Sequence, residues 1–278
     1  MTVLEILKKT EDYLRAKRIG TPRLDSELLL SHLLKCKRID LYVNFDKPLN
    51  SEETDRFREY VKRRALHEPL QYITGEGHFL GMTIKVSSGA LIPRPETEVL
   101  METLINDIPD LSGKSVLDMG TGSGILALYV RKMCRTCVVT ACDLSEEALT
   151  IAKENAGMLN LDIIWVQTDM FQNCASGKFD IIMSNPPYIK SRDIMNLEPE
   201  VRDHEPRLAL DGGDDGLDFY RRFMPEAKNR MNNGCRMYLE FGFGQAEAIT
   251  SIGIKAGLNL DKIVKDIEKR ERVAVFTG

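Results

Sequence analysis

Ser184-Asn-Pro-Pro-Tyr-Ile-Lys190 follows directly on an apolar run, Phe179-Asp-Ile-Ile-Met183. The run reads as a buried strand, and two consecutive prolines end it, since proline has no backbone N–H and a fixed φ. The product is a rigid, acceptor-only corner in which Pro187 completes the turn. The side-chain oxygen of Asn185 and the carbonyl of Pro186 can accept both protons of one planar NH2 group, leaving its lone pair to face an electrophile. Tyr188 can lay a flat ring against the same π-system. An amide or aromatic amine is a poor nucleophile because its lone pair is delocalised, so holding it in line matters. Positioning of this kind can be worth up to about 7–11 kcal/mol. No histidine base is needed, and His78 and His204 read as hydrogen-bonded hairpin and loop residues.

A second constellation lies upstream, Asp118-Met-Gly120-Thr121-Gly122-Ser123-Gly124, followed at once by Ile-Leu-Ala-Leu. Glycines let a backbone turn tightly and approach a ligand, and the helix that follows presents unpaired N–H groups. Asp143, 19 residues after Gly124, ends the next strand, where an acid can accept from two ribose hydroxyls; it or Ser145 could instead cap the helix that follows. The loop admits a dinucleotide or S-adenosylmethionine. Asp118 favours the second, because a carboxylate sits poorly beside a pyrophosphate and well beside an amino-acid ammonium. Asp169 and Met170 end the third strand and can flank an adenine, although Met170 reads equally well as a core residue.

The elements that must carry these residues follow from periodicity. Up to about residue 67 apolar residues recur at spacings of three and four, which predicts a small helical bundle, with Thr21-Pro22 opening one helix and Ser51 capping another. Between Tyr72 and Val86 short β-rich pieces are separated by Gly75, Gly77 and Gly81, as in a hairpin. From Glu96 strands and helices alternate: strands 115–119, 136–142, 162–168, 179–184, 236–241, 258–264 and 272–276, with helices 125–133, 146–160 and near 219–231. This predicts an α/β, doubly wound, mostly parallel sheet whose last two strands pair as an antiparallel edge hairpin. The domains are therefore expected at 1–70, 71–93 and 94–278. The polar loop from Ile189 to Gly216 is long enough to serve as a lid or docking surface.

Composition narrows the function classes. The 278 residues are 43% hydrophobic and 29% charged, ordinary for a globular protein. Residues 1–85 hold 16 Lys and Arg against 13 Asp and Glu, and residues 86–278 hold 22 against 29, so the larger part is acidic. That disfavours a phosphate-gripping surface and a stable nucleic-acid complex. No stretch suits a membrane span or signal segment, and a cytoplasmic monomer is expected. The six cysteines, 36, 134, 137, 142, 174 and 235, read as buried reduced thiols. Cys134-x-x-Cys137 lacks the partners of a zinc site, so no metal is expected.

On these residues the chain resembles the class I S-adenosylmethionine-dependent methyltransferases of the amino-methylating branch, with a seven-stranded sheet. More closely it resembles the HemK/PrmC family of protein-(glutamine-N5) methyltransferases, which modify the Gly-Gly-Gln glutamine of peptide-chain release factors. The matching stretches are Thr21-Pro-Arg-Leu-Asp-Ser-Glu-Leu-Leu-Leu, Glu68-Pro-Leu-Gln-Tyr-Ile-Thr-Gly, Leu91-Ile-Pro-Arg-Pro-Glu-Thr-Glu98, the glycine loop, Ser184 to Tyr188, and Glu205-Pro-x-x-Ala-Leu-x-Gly-Gly213. The resemblance implies cofactor contacts at Gly120 to Gly124, Asp143, Met170 and Asn185, and substrate contacts from Asn185 to Tyr188. Relatives often carry a bulkier aromatic at the place of Met170. Arg94-Pro-Glu-Thr-Glu98 is the most family-specific stretch, so Arg94 and Glu96 are expected at the substrate; as a proline-started helix with first-turn acids it would need no such role. The helical domain is implied to dock the protein substrate. Ribosomal-protein glutamine and nucleic-acid adenine-N6 remain alternative acceptors, since each presents a planar NH2.

Overall fold

The computed structural model describes residues 1–173 and 177–278; Cys174 lies outside them. The chain forms two units, Met1–Glu76 with Glu198–His204, and Gly77–Leu197 with Glu205–Gly278.

The first unit holds α1 (Val3–Ala16), α2 (Pro22–Leu34), α3 (Arg38–Val43), α4 (Ser51–Ala65) and α5 (Leu70–Thr74). Capping decides where they start. Asn50, rather than the expected Ser51, caps α4: its Oδ1 accepts from Glu53 N at 2.8 Å and Glu53 Oε2 accepts from Asn50 N at 2.9 Å. That reciprocal pair satisfies two orphan donors, which Ser51, one residue inside, cannot do. Thr21 precedes α2, but its hydroxyl donates to Asp25 Oδ1 at 2.7 Å instead of accepting from the helix. Leu14, Leu29, Leu30 and Phe57 make the core. Arg64 is buried at 3% exposure, which is tolerable because its guanidinium donates to Asp25 Oδ2 at 2.6 Å, to the Glu68 carbonyl at 3.1 Å and to Glu200 of the returning segment. His204 in that segment reaches the Leu66 carbonyl at 3.2 Å.

The second unit opens with the hairpin β1 (Glu76–Phe79) and β2 (Met82–Lys85). Leu80 and Gly81 both have positive φ, as a tight two-residue turn requires, and His78 meets Thr83 Oγ1 at 3.2 Å across it. After α6 (Pro95–Asp107) come β3 (Ser115–Met119), α7 (Ile125–Met133), β4 (Val138–Asp143), α8 (Glu146–Leu159), β5 (Ile164–Gln167) and β6 (Phe179–Ser184). The short helices α9 (Pro199–His204, returned to the first unit) and α10 (Arg207–Leu210) precede α11 (Asp218–Asn229), β7 (Met231–Glu240), α12 (Ala246–Lys255), β8 (Asn259–Lys265) and β9 (Glu271–Thr277).

Seven strands form one sheet in the order β5-β4-β3-β6-β7-β9-β8, parallel except that β9 runs antiparallel to both neighbours. This is the doubly wound, mostly parallel sheet with an antiparallel edge hairpin that the sequence predicts. Strand β7 starts five residues earlier than expected, and its register against β6 shifts between Phe179 and Ile181. Chain order reverses between β3 and β6, which opens a crevice at their carboxyl ends, the place where such sheets bind ligands. Register then aligns the chemistry: Asp118 stands opposite Met183, and Ser184 opposite Leu239, so the residues that follow, Asn185 and Glu240, emerge at one level.

Among the described residues Cys137, Cys142 and Cys235 are buried and Cys36 and Cys134 half-buried. Cys134 misses full burial because it caps α7 at the surface, where its sulfur meets Thr136 Oγ1 at 3.3 Å. No helix of the described residues is long and apolar enough to cross a membrane.

Candidate active site

A cleft of about 550 Å³ lies over the carboxyl ends of β3, β4 and β6, within the range usual for a small-molecule site. Its floor is the glycine loop. Gly120 N and Thr121 N both donate to the Cys142 carbonyl, at 2.8 and 2.9 Å, which folds the loop back onto β4. Gly120 and Gly122 take positive φ, +72° and +56°, which side chains rarely adopt. Gly124 takes positive φ too, +87°, and serves packing as well. A Cβ there would lie 3.0 Å from Ala152 Cβ and 3.3 Å from Trp165, so its bareness lets α7 close on α8.

Asp143 lines the cleft and has Oδ2 on Gly122 N and Oδ1 on Ser145 N, each at 2.8 Å. Its carboxylate thus braces the loop, and each oxygen keeps a lone pair for a hydroxyl. Burial raises its pKa. Ser145, not Asp143, caps α8, accepting from Ala148 N at 3.2 Å.

Asp118 is placed differently from the expectation. It does not reach the cleft surface but lies fully buried beneath the loop, where Oδ2 accepts from Thr121 Oγ1 at 2.5 Å and Ala127 N at 3.1 Å. The strand geometry points it under the turn. Its Oδ1 has no hydrogen-bond partner among the described residues, and burial pushes its pKa up to about 7. An orphaned acid oxygen beside a glycine loop is a fit for an incoming ammonium. Thr121 and Ser123 line the cleft, as do Asp169 and Met170. Asp169 is paired with Arg222 of α11 at 2.8 Å. Met170 takes φ +53° and serves both readings, facing the cleft while packing into the core cluster.

At the end of β6 the corner divides. Asn185 and Pro187 face the cleft, whereas Pro186 is buried and Tyr188 turns away. Tyr188 is therefore no cleft wall: its ring packs on the core and its hydroxyl donates to Glu240 Oε1 at 3.4 Å, with burial raising its pKa. The physical reason is crowding. Gly212, Gly216 and Gly242 lie against Pro187 and Tyr188, and a Cβ on Gly212 would stand 2.8 Å from the Pro187 carbonyl. Gln245 Nε2 then holds the Tyr188 carbonyl at 3.0 Å. Asn185 Nδ2 donates to Thr97 Oγ1 at 2.8 Å, which turns the amide oxygen to the cleft.

Arg94 also lines the cleft, but its guanidinium is paired with the buried Glu205. Glu96 is off the cleft, 3.6 Å from Arg272. Position in the helix explains this: Arg94 precedes α6, while Glu96 and Thr97 are successive first-turn residues pointing to different sides. Sequence reasoning missed Thr97, Glu240 and Asn155. Asn155 joins β2 to the glycine loop, with Oδ1 on Lys85 N at 2.7 Å and Nδ2 on the Lys85 and Ser123 carbonyls, both at 3.0 Å. An asparagine on the apolar face of α8 was its only signal.

A family model described as the PrmC N-terminal domain matches residues 5–75, and one described as the methyltransferase small domain matches residues 95–201. The chain is 42% identical over 256 residues to the release factor glutamine methyltransferase of Geobacter sulfurreducens, covering 92% of this chain and 89% of the relative. It is 38% identical to that of Thermodesulfovibrio yellowstonii, with 91% of each chain covered. With that of Leptospira interrogans identity is 35%, over 99% of this chain and 98% of the relative. A solved ribosomal protein L11 methylase from Lactobacillus delbrueckii subsp. bulgaricus is similar in fold, with TM-score 0.53 and 21% identity over 70% of this chain and 84% of that one.

Proposed function

Because the chain belongs to the release factor glutamine methyltransferase family, we propose that it methylates N5 of the Gly-Gly-Gln glutamine of peptide-chain release factors, using S-adenosyl-L-methionine. The observation that carries this reading is the Asn185 amide, whose donor end is held by Thr97 so that its acceptor end meets the cleft. That cofactor supplies a methyl group on an electrophilic sulfonium. Asp143 would hold the ribose, Asp118 Oδ1 the ammonium, and Met170 with Asp169 the adenine, while Gly120, Thr121, Gly122 and Ser123 let the backbone come close.

The chain's part in catalysis is then orientation. Asn185 Oδ1 and the Pro186 carbonyl accept hydrogen bonds from the glutamine NH2 group, Pro187 lines its path, and Tyr188 anchors the corner from behind. No side-chain base is required, because nitrogen becomes strongly acidic as it is alkylated and its surplus proton passes to water. Arg94, held by Glu205, borders the substrate, and Glu96 acts at most through Arg272. The helical domain, with Ile39, Val43 and Phe45 exposed on and after α3, docks the body of the release factor. The enzyme acts as a monomer in the cytoplasm.

Labelled S-adenosylmethionine and purified release factor test both parts. Label should enter the Gly-Gly-Gln glutamine, and intact factor should be used more efficiently than a short Gly-Gly-Gln peptide. Label in ribosomal protein, DNA or RNA instead would overturn the substrate; equal kcat/KM for factor and peptide would remove the docking role.

A further inference from the structure

A purine base is flat, and a protein holds a flat base best with an aromatic ring, because such pairs gain more than the area they bury. With Tyr188 turned away, Phe219 is the one aromatic side chain among the described residues that lines the cleft. Met170, which borders the cleft as well, offers a flexible thioether. It adapts to a ring but does not hold a plane.

The fold places this ring at one end of the cleft. Phe219 is half-buried in the first turn of α11. Two contacts tie that helix to the segment after β5. Arg222, one turn along, donates to Asp169 Oδ2 at 2.8 Å, and Phe223 stacks on Phe171 with ring centroids 5.5 Å apart and planes 9° from parallel. Met170 sits between the two residues so anchored, and Phe219 therefore borders the same end of the cleft as Met170. The ring is also held still. Phe223 stacks on it at 5.0 Å and 29°, and Tyr220 meets it nearly perpendicular at 5.9 Å. A side chain already fixed in place has little rotamer freedom to lose when a ligand arrives.

Resting on the assignment of Met170 and Asp169 to the adenine above, we infer that Phe219 is a cofactor-binding residue, the rigid aromatic contact of the adenine base beside Met170. It takes no part in the methyl transfer. Its grip on the base sets how tightly the cofactor is held, not how fast the methyl moves. The same contact serves S-adenosylmethionine and the S-adenosylhomocysteine left after transfer, since both carry the base.

Calorimetry on the full chain tests this. Phe219→Leu keeps apolar bulk and removes the ring, and it should raise Kd for S-adenosylmethionine about tenfold, the size of one base–aromatic contact. The same factor should appear for S-adenosylhomocysteine and for adenosine, which shares only base and ribose with the cofactor. Phe219→Tyr, which keeps the ring, should stay within about threefold of wild type. At saturating cofactor the leucine variant should keep kcat and release-factor KM within about twofold. Phe219→Trp puts a fluorophore at the contact, and adenosine should quench it beyond any change shown in wild type by Trp165, the chain's single tryptophan. A wild-type Kd in Phe219→Leu, a loss absent for adenosine, or a rise in release-factor KM in place of cofactor Kd overturns the assignment, the last by moving the ring to the acceptor side. Should Phe219→Leu fail to fold, the tyrosine and tryptophan variants decide, and weakened binding in the first or unquenched emission in the second overturns it. Wild-type protein from which adenosine cannot displace S-adenosylmethionine would instead strike the placement of the base on which the inference rests.

Discussion

The two halves of the cleft are built by opposite means. On the cofactor side the groups that matter are close in sequence and bond to backbone: Gly120 and Thr121 to Cys142, Asp143 to Gly122 and Ser145. On the acceptor side Asn185 is set by Thr97, 88 residues away, and Tyr188 by Glu240, 52 residues away. Backbone bonds fix a loop whatever the side chains around it, whereas the acceptor corner is only as good as its distant partners. Substitutions should therefore separate the halves, with cofactor affinity failing on one side and turnover on the other.

The largest separation should come from Asn185→Ala. Removing one of two acceptors in a preorganised site costs on the order of 10²–10³ in rate, as for comparable oxyanion donors. We expect kcat to fall by that much while cofactor Kd, measured by calorimetry, changes less than threefold. A matching loss in Kd would show that Asn185 belongs to the cofactor half. Next in size is Asp143→Ala, which deletes a half-buried carboxylate holding Gly122 and available to two hydroxyls. Hydrogen bonds to charged groups are worth about 1.5–3 kcal/mol, so cofactor Kd should rise on the order of 10–100-fold, with kcat at saturation far less affected. An unchanged Kd would sever Asp143 from the ribose.

The same contrast governs what is legible without the structure. Strand and helix alternation is local periodicity, and it locates all seven strands; only the start of β7 escapes it, since Met231-Asn-Asn-Gly lacks an apolar alternation and is recruited by pairing with Phe179. The glycine loop and Asp143 are legible because backbone chemistry needs particular residues at short spacing. Tyr188 reads as facing the wrong side of its corner, because three glycines remote in sequence decide which way it packs. Thr97 and Glu240 leave no signal: a threonine in a helix's first turn and a glutamate ending an apolar strand are ordinary until the fold brings the first to Asn185 and the second to Tyr188.

Asp118 sharpens the comparison most finely, because it belongs to the cofactor half yet behaves like the acceptor half, buried and incompletely bonded. Desolvation raises its pKa from 3.8 to about 7. A carboxyl whose pKa is higher folded than unfolded contributes stability that is complete below the unfolded value and is lost as pH rises through the folded one. The protein without cofactor should lose stability from this group between about pH 4 and 7. Asp118→Asn keeps an oxygen for Thr121 and Ala127 and removes the titration. Its Tm relative to wild type should therefore climb by a few degrees from pH 5 to pH 8, and a pH-independent difference would show that Asp118 is not the group responsible. Cofactor binding should run the other way. An ammonium at Oδ1 favours the ionised acid, so wild-type affinity should strengthen as pH rises through 7, and the variant should bind more weakly with that dependence gone. A residue that weakens the empty fold and tightens the filled one has its orphaned oxygen kept for a ligand.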